Sequence, residues 1–118
     1  MKDFKKLIVW QKAIEIAKCT YELTSTLPSS EKYGLASQMQ RCSVSIASNI
    51  AEGSSRRSEK DYFRFLEIAL GSCFELETQC ILLREISIGE ESRIEAILNL
   101  LEEECMMLHS LMNKLNLN

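Results

Sequence analysis

A chain of 118 residues, 46% apolar with four glycines and one proline, excludes a disordered or collagen-like protein and leaves room for one helical domain spanning residues 1–118. Its longest apolar run, residues 7–10, cannot span a bilayer, and the opening MKDFKK lacks the apolar core of a secretion signal, so a cytoplasmic protein without a membrane partner is expected. The net charge of −3 excludes a global basic field. It is uneven, however, with five basic and three acidic side chains over residues 40–66 against three and ten over residues 67–118.

In chain order, Val9, Ala13, Ile16, Thr20, Leu23 and Leu27 fall on one face of a first helix over residues 7–27. Trp10, Ile14, Ala17 and Tyr21 form an adjoining apolar face, as in a bundle helix or a subunit interface. The segment 28–34 carries the sole proline and a glycine and breaks the pattern. A second helix follows, with Leu35, Met39, Cys42, Ile46 and Ile50 on one face, and Gly53 suits a left-handed residue that ends it. Ser58, three residues before Asp61, reads as the N-cap of a third helix. There Tyr62, Leu66, Ala69, Cys73, Leu76, Cys80 and Leu83 make a sustained heptad seam. A short turn predicts that helices two and three lie antiparallel, with Ser45 near Leu66 and Cys42 near Ala69. Residues 87–91 break the seam, and a last helix from about Ser92 carries Ile94, Leu98, Leu101, Cys105, Leu108, Met112 and Leu115. Nothing reads as a strand. The fold class is all-α, an up-down-up-down four-helix bundle. Gly71 and Ser72 stand out inside helix three: the glycine costs roughly 1 kcal/mol against alanine and so suggests a close helix neighbour there; with the two-sided apolar helices this points to a homo-oligomer.

Five cysteines, an odd number with no CxxC pair, read as buried free thiols in a reducing compartment rather than as a disulfide framework. Cys73 and Cys80 are two helical turns apart, about 10 Å, too far for a bond to each other. The single histidine, His109, has Met106 three residues before it, so the Glu-x-x-His repeat of a di-metal bundle is missing and neither metal nor cofactor is expected. Ser45 and Ser48 have no histidine near them in sequence, and no catalytic constellation emerges. Arg56, Arg57, Lys60 and Arg64 around the central turn, with Arg41 on helix two, form a candidate phosphate-contacting set. Guanidinium groups match phosphate geometry, and a helix N-terminus adds free N–H donors. A solvated turn offset by Glu59 and Asp61 is the commoner meaning of such a cluster. Asn49, Glu52, Glu75 and Glu77 are read as polar packing or interface residues.

The runs LIVWQKA (7–13), YGLASQMQR (33–41), SIASNIAEGSSRRS (45–58) and FRFLEIALGSCFELETQ (63–79) closely resemble the 23S rRNA intervening-sequence proteins, over nearly the whole chain. The resemblance implies an up-down-up-down bundle that assembles as a homopentamer, with no established biochemical activity. The family is also similar to the accessory protein of diversity-generating retroelements, a pentameric barrel with a basic surface that contacts a reverse transcriptase and binds nucleic acid. Three departures stand out, one of them the acidic final helix, which works against a uniformly basic exterior. Gln40-Arg41 replaces a pair of arginines common in relatives, and Cys42 replaces a more usual alanine.

The expected function is therefore a non-enzymatic oligomeric scaffold that binds structured RNA or DNA through the basic turn, or contacts a nucleic-acid enzyme. The alternatives are a protein-interaction scaffold presenting the acidic last helix, and an enzyme using Glu52, Glu75 or Glu77, which needs an inward cleft.

Overall fold

The computed structural model describes residues 3–118; Met1 and Lys2 of the opening segment lie outside the described residues. Four helices account for most of the chain: α1 Ile8–Thr24, α2 Leu35–Ser54, α3 Glu59–Glu85 and α4 Glu91–Asn113. Short 3-10 turns at Phe4–Lys6 and Ser29–Glu31 precede α1 and α2, and no strand occurs among the described residues. α1 packs on α2, α2 on α3, α3 on α4 and α4 back on α1, closing a four-cornered bundle measuring 47 × 22 × 22 Å. No described helix is long and apolar enough to cross a membrane.

The core follows the predicted stripes closely. Val9, Ala13, Ile16, Leu23, Met39, Ile46 and Ile50 are buried, as is every member of the α3 seam from Tyr62 to Leu83. Thr20 joins them because its hydroxyl donates to the Ile16 carbonyl at 2.8 Å, which satisfies the buried polar group. Ser58 caps α3 as expected, its Oγ accepting from the Asp61 N–H at 3.1 Å.

Four local expectations are corrected. α1 ends at Thr24 rather than Leu27, because Thr24, Ser25 and Thr26 each turn a hydroxyl back onto a carbonyl of the last turn. Leu27 still reaches the core from the connection. Gly53 is not a left-handed terminus but lies inside α2, where a Cβ would stand 2.7 Å from Phe65 Cβ and 2.9 Å from Tyr62 Cδ1. That close crossing moves the register. Ser45 Oγ meets Ser72 Oγ at 2.9 Å instead of facing Leu66, and the Cys42 thiol donates to the Ser72 carbonyl at 3.0 Å instead of facing Ala69.

Gly71 is the third, since a Cβ there would meet nothing within 4 Å. The small residue that α2 approaches is its neighbour Ser72. The fourth lies in α4, whose inward stripe is Ile94, Ile97, Leu101, Glu104, Leu108 and Met112. Leu98 and Cys105 are only partly buried beside it. An apolar reading passes over Glu104 and selects its neighbour Cys105, which tilts the apparent seam by one position.

Candidate nucleic-acid interface

The α2–α3 turn, residues 55–58, sits at the end of the bundle where α1 begins and α4 finishes. The Phe4–Lys6 turn packs against α2, a groove joins Lys6 and Leu7 to Leu111 and Lys114, and the Asn116 N–H donates to Glu59 at 3.3 Å. Arg56, Arg57, Lys60 and Arg64 therefore share this end with Lys5, Lys6 and Lys114. Across residues 3–6, 52–64 and 114–118 there are seven basic and four acidic side chains, a surplus of three positive charges in a chain whose net charge is −3. Lys5, Lys6 and Lys114 escape a sequence reading because only the fold joins the three segments.

The basic side chains differ in freedom. Arg56 lies with its guanidinium 4.6 Å from the centre of the Phe65 ring and 4.0 Å from the Glu52 carboxylate. This cation–π contact with the ring restrains the guanidinium at the turn. Arg64 pairs loosely with Asp61 at 3.9 Å, an exposed contact that contributes little to stability. Arg57 and Lys60 are exposed and form no ion pair with any described residue. Arg41 is separate. It lies on α2 thirteen residues before that helix ends at Ser54, about 20 Å from the turn at 1.5 Å per residue, and lines a polar groove with Gln38, Cys42, Ser45, Ser72 and Glu75.

Of the polar packing candidates, Asn49 lies in the α2–α3 seam, donating to the Ser45 carbonyl at 2.8 Å and Ser45 Oγ at 2.9 Å, and so extends the Ser45–Ser72 contact. Glu52, Glu75 and Glu77 are exposed; Glu75 accepts from Gln79 Nε2 at 3.3 Å. These carboxylates do not converge on a cleft. Among the described residues no three His, Cys, Asp or Glu side chains gather as a metal site requires, and His109 is exposed on α4.

One residue with perturbed chemistry was not singled out by the sequence. Glu104 is fully buried on the inner stripe of α4, and neither carboxyl oxygen has a hydrogen-bond partner. Burial pushes its pKa up to about 8, with Lys12 offsetting part of the effect and Cys105 adding to it. The only hint in the sequence is the spacing Leu101–Glu104–Leu108, a charge set among core positions. Burial also pushes the Cys42 and Cys80 thiols up to about 12, so both are inert core groups.

Comparison with known proteins agrees with the helical architecture. A crystal structure of a protein of unknown function from the S23 ribosomal protein family of Bacteroides thetaiotaomicron superposes with a TM-score of 0.81 at 29% identity, covering 91% of this chain and 100% of that one. No curated protein matches the chain. The profile of the 23S rRNA-intervening sequence proteins matches residues 5–110, which takes in the α2–α3 turn and its flanking helices. The chain belongs to the 23S rRNA-intervening sequence protein family.

Proposed function

We propose that the protein is a non-enzymatic, homopentameric scaffold of antiparallel up-down-up-down bundles that binds structured RNA, with the basic end of each bundle contacting phosphates. The observation that carries this reading is the convergence of Lys5, Lys6, Arg56, Arg57, Lys60, Arg64 and Lys114 on one end of an otherwise acidic molecule. The antiparallel direction is supported by Ser45 meeting Ser72 while Gly53, further along α2, meets Tyr62 and Phe65, earlier on α3. Assembly is supported by apolar side chains that the single chain leaves exposed: Ile14, Tyr21 and Val44 on the α1–α2 face, and Ile68, Phe74 and Ile81 on α3. The number five comes from the family resemblance.

The test is binding of a labelled structured RNA across a salt series. Replacing Arg56 and Arg57 together by alanine should weaken binding at least about tenfold and reduce the log–log salt slope by about 1.5 to 2 for each protomer engaged. Unchanged affinity and slope would remove RNA binding from this surface. A protein partner captured equally well after nuclease treatment would favour the protein-interaction scaffold and the acidic α4.

Gly71 provides a separate check on assembly. In an isolated bundle Gly71→Ala should stabilise by about 1 kcal/mol, since the Cβ meets nothing and alanine is the better helix former. If a neighbouring subunit packs on this face, the same variant lowers the oligomer fraction in sedimentation velocity. Monomer stabilisation with unaltered assembly would place the subunit contact elsewhere.

A further inference from the structure

The start of α1 and the last two turns of α4 leave an unfilled groove of about 400 Å³ between them. Its walls are Leu7, Ile8 and Val9 on one side and Met107 and Leu111 on the other. Val9 is buried in the core, but Ile8 is 66% exposed, and Leu7, Met107 and Leu111 are only partly covered. Lys6 and Lys114 line the same groove at the end of the bundle, and Ser110 adds a hydroxyl. Both lysines are exposed and form no ion pair with any described residue. No carboxylate among the described residues lines the groove. About one turn towards the middle of the bundle, the Lys12 ammonium meets Glu103 at 3.3 Å and bounds the groove there by tying α1 to α4.

The groove is therefore apolar along its length and positive at one end, and its occupant must answer both. A phosphate strand would neutralise the lysines and leave the apolar walls wet. A helix does both, because apolar residues at i, i+4 and i+7 lay a stripe into a groove between two helices. Carboxylates belong in the first turn of such a helix, where the macrodipole favours them. From Met107 to Lys114 the groove runs about 10 Å at 1.5 Å per residue, room for two turns of a docked helix. The flexible Met107 thioether adapts the wall to the stripe.

We propose that this groove is a docking site for an amphipathic helix of a partner protein, with an acidic first turn between Lys6 and Lys114 and an apolar stripe along Ile8, Met107 and Leu111. The docked helix then runs in the direction of α1. The inference goes beyond the RNA reading and shares only Lys6 and Lys114 with it.

The probe is a fluorescein-labelled synthetic helix of about sixteen residues, with glutamates in its first turn and leucines at i, i+4, i+7 and i+11. Full-length protein is titrated into it without RNA and followed by anisotropy, so the outcome is independent of RNA binding. The expected result is saturable binding that weakens with salt, together with a shift of the Met107 methyl resonance while that of fully buried Met39 stays in place. A peptide carrying lysines for the glutamates should bind at least about tenfold more weakly, as should the acidic peptide to a Lys6→Glu, Lys114→Glu protein. Ile8→Asp, at an exposed site in the first turn of α1 that suits a carboxylate, should lower affinity by a similar factor; circular dichroism checks its fold. Equal binding of the lysine peptide, or binding that leaves the Met107 resonance unmoved, would overturn the proposal. So would a native protein that ignores the peptide while Ile8→Asp alters its sedimentation velocity, since a second copy would then cover the groove. The peptide pair and the Met107 shift decide the matter on the native sequence even if the variants fail to fold.

Discussion

Glu104→Leu should stabilise the bundle by about 3–5 kcal/mol at about pH 9 and by far less at about pH 5. The native carboxyl is fully buried among apolar neighbours, and neither oxygen finds a donor. Burial moves its pKa from 4.5 to about 8, a rise equivalent to a differential of roughly 5 kcal/mol between its protonated and charged forms. Leucine, apolar and of comparable bulk, returns the site to the character of Leu101 and Leu108, which flank it on the same stripe.

The sign of the pH dependence follows from proton uptake. Below pH 4.5 the side chain is protonated in folded and unfolded chains alike, and the raised pKa has no consequence. Between 4.5 and about 8 the unfolded chain has released a proton that the folded chain retains, so stability falls as pH rises. Above about 8 both states are ionised and the penalty is complete. Urea unfolding at fixed protein concentration should therefore show a native-sequence protein that weakens from acid to mild alkali and a Glu104→Leu protein that lacks this component. Glu104→Gln should also lose the pH dependence but gain less stability, because an amide in the same place still lacks partners. Equal pH slopes in native protein and leucine variant would show that Glu104 is solvated or paired in solution.

The same residue shows how far the sequence alone reaches. Periodicity located α1, α2 and α3 because their inner faces are almost wholly apolar, so spacing and burial coincide. It misplaced the α4 stripe because a buried carboxyl breaks the assumption that charged residues face water. Of the basic surface, the part contiguous in sequence was readable at Arg56, Arg57, Lys60 and Arg64. Lys5, Lys6 and Lys114 belong to it only through the packing of three chain segments at one end. Arg41 shows the reverse failure: near in sequence, yet about four turns from the patch along a rigid helix. Glycine proved ambiguous too, since its lack of a Cβ serves a left-handed turn, an intimate crossing or an open surface equally well.

Gly53 resolves that ambiguity most sharply, and Gly53→Ala should destabilise the protein by about 2–3 kcal/mol despite alanine's better helix propensity. The gain from propensity is at most about 1 kcal/mol, whereas the added methyl would stand 2.7 Å from Phe65 Cβ and 2.9 Å from Tyr62 Cδ1. The first of these atoms is fixed to the α3 backbone and cannot swing away, so relief requires α2 and α3 to separate. Separation would stretch the Ser45–Ser72 and Cys42–Ser72 contacts two to three turns earlier on α2. It would also shift the Phe65 ring that orients Arg56, so stability and RNA affinity should fall together in Gly53→Ala. Phe65→Ala offers the control. It removes the ring beneath Arg56 and most of the side chain beside Gly53, and it should weaken RNA binding without restoring a Gly53→Ala protein, because the clashing Cβ remains. A Gly53→Ala protein as stable as the native one would mean that α2 and α3 stand further apart than this crossing requires, and that the orientation of Arg56 is not held by it.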